Sequence, residues 1–357
     1  MLHAIIMAGG SGTRFWPASR HHRPKQFLAL ATETPLLRMT FERLSGLVPV
    51  DRIWVVTTAV TANATRDILP ELPVDNVLAE PVGRNTAACT GFAAHATVAW
   101  DPDAICVVLP ADHVIGEEGR FRSAMAAGAD LVSREGGLLT FGVQPTRPET
   151  GYGYLELGEE HTREEGWAVH RLERFVEKPD ADRAASYVDS GRFLWNAGIF
   201  AWRAADLLDE IRRQLPELAR GLEAIAGGIG TPEADTILSA VYPSLPATSV
   251  DFGIMEGAQK CWVMPVDFPW SDIGSWSALA ETLTTDAAGN AVRGRTQTLD
   301  ARDNVLVTTG PTLSVVGVDD LVVVATPDAV LVVPKDQAQR VKDVVTGLRE
   351  QGWDDVL

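Results

Sequence analysis

The sequence predicts an α/β protein: a doubly wound, mostly parallel sheet followed by a small β-rich domain with a terminal helix. Three observations predict it. Short apolar runs at 2–7, 53–57 and 105–109 read as strands buried on both faces. Helical segments lie between them, and strand–helix–strand alternation builds parallel sheets. After the Gly289–Asn290 pair the alternation gives way to short strands separated by Gly, Pro and Asp.

The elements follow in order. Strand 2–7 runs directly into the segment AGGSGTRF. A helix is expected after Thr34–Pro35, a capping residue followed by a proline suited to the first helical position. The alanine-rich stretch 86–100 and the stretch 117–134 supply two more helices. From 142 to 200 the pattern becomes that of a mixed sheet, with strands at 152–157, 169–176 and 199–202. Short helices follow from 204 to 240. The tail predicts strands at 305–308, 313–318, 321–325 and 329–333 and a closing helix at 337–349. The expected domains are 1–288 and 289–357. No repeat or low-complexity linker interrupts them. In a doubly wound sheet, ligands bind at the carboxyl ends of the strands. The glycine-rich turn and Asp112 both fall there.

Composition narrows the function. With 46% hydrophobic residues in 357, the chain is ordinary globular material, enough for one large and one small domain. The net charge of −17 argues against a nucleic-acid partner, which needs a basic face. It also means that a phosphate site must gather its cations locally. Arg14, Arg20, Arg23 and Lys25 do so within one loop. Cys89, Cys106 and Cys261 are scattered in apolar contexts, without the spacing of a zinc site or a disulfide framework. No basic-then-apolar leader and no apolar run of membrane-spanning length is present, so a cytoplasmic protein without a membrane partner is expected.

The chemistry concentrates in a few motifs. In Ala8–Lys25, the glycines Gly9, Gly10 and Gly12 stand with Ser11, Thr13 and Arg14 directly after a strand. Backbone N–H groups there can approach phosphate oxygens, because no Cβ blocks them. A tight βα turn reads the same way, but such a turn needs neither Arg14 nor Lys25. The P-loop pattern is absent, and Phe15 stands where a dinucleotide fingerprint needs its last glycine. Asp112 in LPADHVI and Asp272 in FPWSDIGSW each read as a Mg²⁺ ligand or as a cap of the following turn. Glu177 and Lys178 in VEKPD read as groups for sugar hydroxyls and phosphate, or as a solvated pair. Gly151 in TGYGY allows close approach of a ligand. Asn196 in WNAGIF offers both a donor and an acceptor. Asn85 in AEPVGRNTAA is a natural N-cap. Glu80 is a candidate hydrogen-bond acceptor, and Gly83 to Asn85 and Thr86 offer backbone groups nearby. Asp251 in SVDFGIMEGA reads as a contact to the sugar or the metal shell, or as a helix cap. No histidine has a partner spaced as a metal triad or beside a nucleophile.

These segments resemble the sugar nucleotidylyltransferases, and among them the mannose-1-phosphate guanylyltransferases, whose pattern reads GGSGTRLWPLSR…PKQF. Phe15 and Ala18 replace two leucines of that pattern, and Ala88 stands where a proline is usual. Phe252 and Gly253 replace a Tyr-Ala pair in SIDYAVME. The resemblance covers 1 to about 285, with a family-like tail. It implies a Rossmann-like sheet of the nucleotidyltransferase type. It implies transfer of a guanylyl group from GTP to mannose 1-phosphate, with Mg²⁺ on Asp112 and Asp272 and with Arg14 and Lys25 acting on the phosphates. Nucleotide binding falls to Ala8–Thr13, Glu80, Gly83, Asn85 and Thr86, and sugar-phosphate binding to Gly151, Glu177, Lys178, Asn196 and Asp251. EPVGRNTAA favours GTP over dTTP or UTP. Two rival readings stay open: a sister enzyme using dTTP or UTP with glucose 1-phosphate, and a non-catalytic regulatory paralogue. Some members of the family carry a following isomerase domain, and a single activity is expected here. The edges of the C-terminal strands are the expected contact of a homodimer.

Overall fold

A computed structural model describes every residue except Ser11. The chain forms two compact units, each assembled from separated stretches: Met1–Gly9, Thr40–Ala111 and Ile115–Trp270 in one, and Gly10–Met39, Asp112–Val114 and Ser271–Leu357 in the other.

The first unit is built on nine strands: β1 (Leu2–Met7), β2 (Ile53–Thr58), β3 (Val77–Glu80), β4 (Ile105–Pro110), β5 (Leu138–Val143), β6 (Tyr154–Glu164), β7 (Trp167–Val176), β8 (Phe193–Arg203) and β9 (Cys261–Val266). They form one sheet in the order β3-β2-β1-β4-β8-β5-β9-β7-β6. β1 pairs in parallel with β2 and β4, β2 with β3, and β5 with β9. β8 and β7 run against their neighbours. Seven of the nine strands therefore share one direction, which is the mostly parallel sheet expected. β1 and β4 bury their central residues on both faces, as their apolar runs require.

The helices of this unit are α1 (Leu36–Arg43, shared in sequence with the second unit), α2 (Ala62–Ile68), α3 (Asn85–Trp100), α4 (Glu118–Glu135), α5 (Ala181–Ser190), α6 (Ala204–Gln214), α7 (Pro216–Ala226), α8 (Ala234–Val241) and α9 (Val250–Gly253). α3 has no single apolar stripe. Its small side chains let it sit buried on several sides at once. A Cβ on Gly91 would lie 2.5 Å from Leu222 of α7 and 3.0 Å from Ile211 of α6, so glycine sets how closely these helices approach.

Several boundaries differ from the sequence reading. β6 and β7 form a long hairpin, and the outer half of β6 carries Glu, His and Arg on mostly exposed positions, a composition that reads as loop. Glu165 and Gly166 turn it, both with positive φ, the arrangement that matches strand twist in a two-residue hairpin. β8 begins at Phe193 rather than 199. β3, β5, β9 and α2 have no counterpart in the sequence reading.

The second unit contains α10 (Trp276–Ala280), β10 (Ala291–Arg293), β11 (Thr296–Leu299), β12 (Val305–Thr308), β13 (Leu313–Val316), β14 (Leu321–Ala325), β15 (Val330–Pro334) and α11 (Val341–Glu350). β10, β12 and β14 stack in parallel and β15 closes the stack antiparallel, while β11 and β13 pair beside it. Phe15 and Trp16 are buried in the same core as Trp276, Val305, Val322 and Val341. The Trp276 indole donates to the Trp16 carbonyl at 3.0 Å, and the Trp16 indole to the Val356 carbonyl at 2.8 Å. Among the described residues, no helix is long and apolar enough to cross a membrane.

Candidate active site

In the second unit, the glycine-rich turn is held from below. Gly12 sits at φ 59°, the left-handed region that favours glycine. Its carbonyl accepts from the Ser19 hydroxyl at 2.8 Å and from the Phe15 N–H at 3.0 Å. The Gln26 amide donates to the Gly10 carbonyl at 3.1 Å. Nothing lies within 4 Å of where a Gly10 Cβ would project. Thr13–Phe15 is a single 3₁₀ turn, with Phe15 buried and Arg14 exposed. Ser11 lies outside the described residues.

Lys25 is only 5% exposed. Its Nζ donates to Asp112 Oδ2 at 2.9 Å and to the backbone carbonyl of Asp272. A Cβ on Gly12 would stand 2.5 Å from Lys25 Cβ, so the turn and the lysine are packed as one piece. Burial pushes the Asp112 carboxyl up, but the Lys25 ammonium and His113 outweigh it and hold the group below the ordinary carboxylate range. The capping alternative fails for Asp272: the N-cap of α10 is Ser275, whose hydroxyl accepts from the Ala278 N–H at 3.3 Å. The three residues singled out at 25, 112 and 272 thus converge in one unit. No three His, Cys, Asp or Glu side chains among the described residues cluster tightly enough to cage a metal alone.

The other candidates lie in the first unit, in two groups. Ala8 and Gly9 end β1, and the Thr57 hydroxyl donates to the Ala8 carbonyl at 3.3 Å. Glu80 ends β3. It is 2% exposed, and its Oε1 accepts from the Tyr242 hydroxyl. Burial raises its pKa to about 7, against the lowering effect of that hydrogen bond. Gly83 is exposed and open. Asn85 has φ 64°, and its side chain accepts from the adjacent Thr86 N–H at 2.8 Å. The Thr86 hydroxyl accepts from the Val250 N–H at 2.8 Å, tying the start of α3 to α9.

The second group surrounds Asn196. Its Oδ1 accepts from the Thr140 hydroxyl at 2.9 Å and from the Gly198 N–H at 3.1 Å, while its Nδ2 donates to Asp251 Oδ1 at 2.8 Å. Most of the amide is thus spent inside the protein, and its direct effect is to orient Asp251. The cap of α9 is Ser249, not Asp251. Burial, then the Glu177 charge, raises the Asp251 pKa to about 6. Lys178 pairs with Glu177 and holds φ 47°, an uncommon conformation for a side-chain-bearing residue. Gly151 is exposed, its N–H donating to Glu149 at 3.0 Å. The tightly packed glycine of this loop is Gly153, where a Cβ would lie 2.7 Å from Glu177 Oε2. Sequence reasoning passes over Gly153 and Tyr242. The repeated glycine in TGYGY is a usable signal for the first. Tyr242, in an isolated YP pair, carries none.

Residues 3–289 match the model of the Nucleotidyl transferase family, and residues 294–348 match the MannoseP isomerase/GMP-like beta-helix domain. The alginate biosynthesis protein AlgA of Pseudomonas fluorescens is 37% identical over 357 residues, spanning 98% of this chain and 72% of that protein. Mannose-1-phosphate guanylyltransferase 2 of Escherichia coli O157:H7 is 37% identical over 356 residues, with 98% and 73% covered. A crystal structure from Thermus thermophilus, described as a mannose-1-phosphate geranyltransferase, is 38% identical and superposes with a TM-score of 0.86 over 98% of this chain and 99% of that one. The fold, the glycine-rich turn after β1 and these likenesses agree, and the chain belongs to the nucleotidyl transferase family of enzymes.

Proposed function

We propose that this enzyme makes GDP-mannose and diphosphate from GTP and mannose 1-phosphate. The observation that carries the reading is the buried Lys25 ammonium, packed behind Gly12 and hydrogen-bonded to both the Asp112 and Asp272 segments. A cation fixed beside a glycine-rich turn, with the Asp112 carboxylate and the Asp272 backbone at hand, is machinery for moving phosphoryl charge.

A sugar phosphate is largely dianionic at neutral pH, its second pKa being about 6. Its oxygen attacks the α-phosphorus of GTP. One P–O bond forms, the bond from the α-phosphorus to the bridging oxygen breaks, and diphosphate leaves with the electron pair. No proton has to be removed first, so the step needs no histidine base. The chain's task is positioning and charge neutralisation. The turn's backbone N–H groups, Arg14 and Lys25 hold the triphosphate and the departing diphosphate. Glu80 and the backbone near Gly83 to Thr86 receive the guanine. Lys178 holds the attacking phosphate, and Glu177 and Asp251 accept from sugar hydroxyls, with Asn196 setting the direction of Asp251. Asp112 and Asp272 fit Mg²⁺, which takes one or two carboxylates and completes its shell with phosphate oxygens. When bound, the ion neutralises phosphate charge and aligns oxygens. We place the reaction in the cytoplasm.

The test is product identification. Enzyme, GTP, mannose 1-phosphate and Mg²⁺ should give GDP-mannose on anion-exchange chromatography, and chelating the metal should stop it. Absence of GDP-mannose with metal present would contradict the reading.

A further inference from the structure

We infer that Tyr242 is a positioning residue for base selection, its hydroxyl fixing the Glu80 carboxylate so that the second oxygen is presented beside Gly9 to paired N–H donors of a guanine. This rests on the proposed use of GTP and deepens it.

Tyr242 lies in the 3₁₀ turn after α8 and is fully buried, its ring edge-on to Phe92 of α3 at 5.7 Å. A phenol in such a place needs a partner, and it donates to Glu80 Oε1. Glu80 Oε2 accepts no hydrogen bond among the described residues, although the residue is 2% exposed. That oxygen lies 3.0 Å from where a Gly9 Cβ would stand, so any side chain at 9 would cover it. One oxygen is anchored, and the other is not sealed in the core, so it can accept the donors of a ligand. Guanine supplies two on one edge, N1–H and the 2-amino group. Uracil and thymine supply one. Adenine presents a donor beside an acceptor.

The groups around Glu80 leave it as the one that titrates near neutrality. Burial first, then the Glu80 charge, pushes the Tyr242 phenol and the Cys89 thiol of α3 upward, and both stay neutral. The Arg84 charge acts on Tyr242 from the loop before α3.

The experiment compares GTP with inosine triphosphate, which lacks the 2-amino group. Diphosphate release is measured across pH for wild type, Tyr242→Phe and Tyr242→Met, two donor-free variants of different shape. The expected result is a fall of roughly tenfold in kcat/KM for GTP, the scale of a hydrogen bond to a charged group. Inosine triphosphate loses much less, so the GTP-to-inosine preference shrinks. The acid limb for GTP moves to higher pH, and KM for mannose 1-phosphate stays put. The preference ratio does not depend on how much of the variant folds. A wild-type ratio with an unmoved acid limb in either variant overturns the inference. Wild-type enzyme that takes no GTP overturns the parent reading, and the inference with it.

Discussion

At Lys25, an ammonium is spent on two partners of its own chain, Asp112 and the Asp272 carbonyl, in a place that water barely reaches. Removing it takes away a preorganised charge. Lys25→Ala should lower kcat by roughly 10²-fold, the scale of losing one such donor. Steady-state kinetics with near-wild-type kcat would contradict its role. Asp112 is held ionised by Lys25 and His113 despite burial. Asp112→Asn keeps the shape and removes the charge, so the Mg²⁺ concentration for half-maximal rate should rise several-fold. An unchanged metal titration would remove Asp112 from the metal site. Glu80 gives a pH signature. Its pKa of about 7 lies above the ordinary value of 4.5. As pH falls through about 7 it gains an O–H that faces guanine's donors, so kcat/KM for GTP should drop on the acid side. The stability sign is the opposite. The native state binds this proton more tightly than the unfolded chain, so the group's contribution to stability is present below about 4.5 and is lost as pH rises through 7. A flat kcat/KM profile for GTP from pH 6 to 8 would show that Glu80 does not face the base.

Among the elements, those with continuous apolar runs were readable: β1, β2 and β4 lie where the runs lie, and α3 follows the alanine stretch. The charged outer half of β6 was not, because it carries no apolar alternation toward a core. Close packing around glycine was equally hidden. Gly91 reads as a weak point in a helix, and only the structure shows Leu222 and Ile211 filling its place. Gly91→Val should overpack that contact and cost about 1–3 kcal/mol. The check is a lower denaturation midpoint with unchanged KM values. A midpoint equal to wild type would mean that α3 and α7 are not packed this closely.

For the whole molecule, the interleaving of the two units had no sequence signal. Residues 10–39 and 112–114 join the C-terminal strands because Phe15, Trp16 and Trp276 share one core, a long-range fact that local pattern does not encode. Lys25, Asp112 and Asp272 stood out as charged groups in loops that follow apolar runs, and the structure brings the three segments together in one unit. Asn196 was read as a sugar contact, whereas most of its amide is committed to Thr140, Gly198 and Asp251. The C-terminal strands leave Leu299, Val316, Val330 and Val332 exposed. We propose that a second copy covers them. Light scattering should give a dimer mass, and a monomer at assay concentration would contradict that.

The most direct test offers GTP, UTP, dTTP, ATP and CTP in parallel with mannose 1-phosphate and Mg²⁺ and measures diphosphate release. The expected result is strong preference for GTP, lost as the pH falls below about 7. Turnover with UTP or dTTP in preference to GTP would contradict guanine recognition at Glu80, and no turnover with any of the five would contradict the catalytic reading itself.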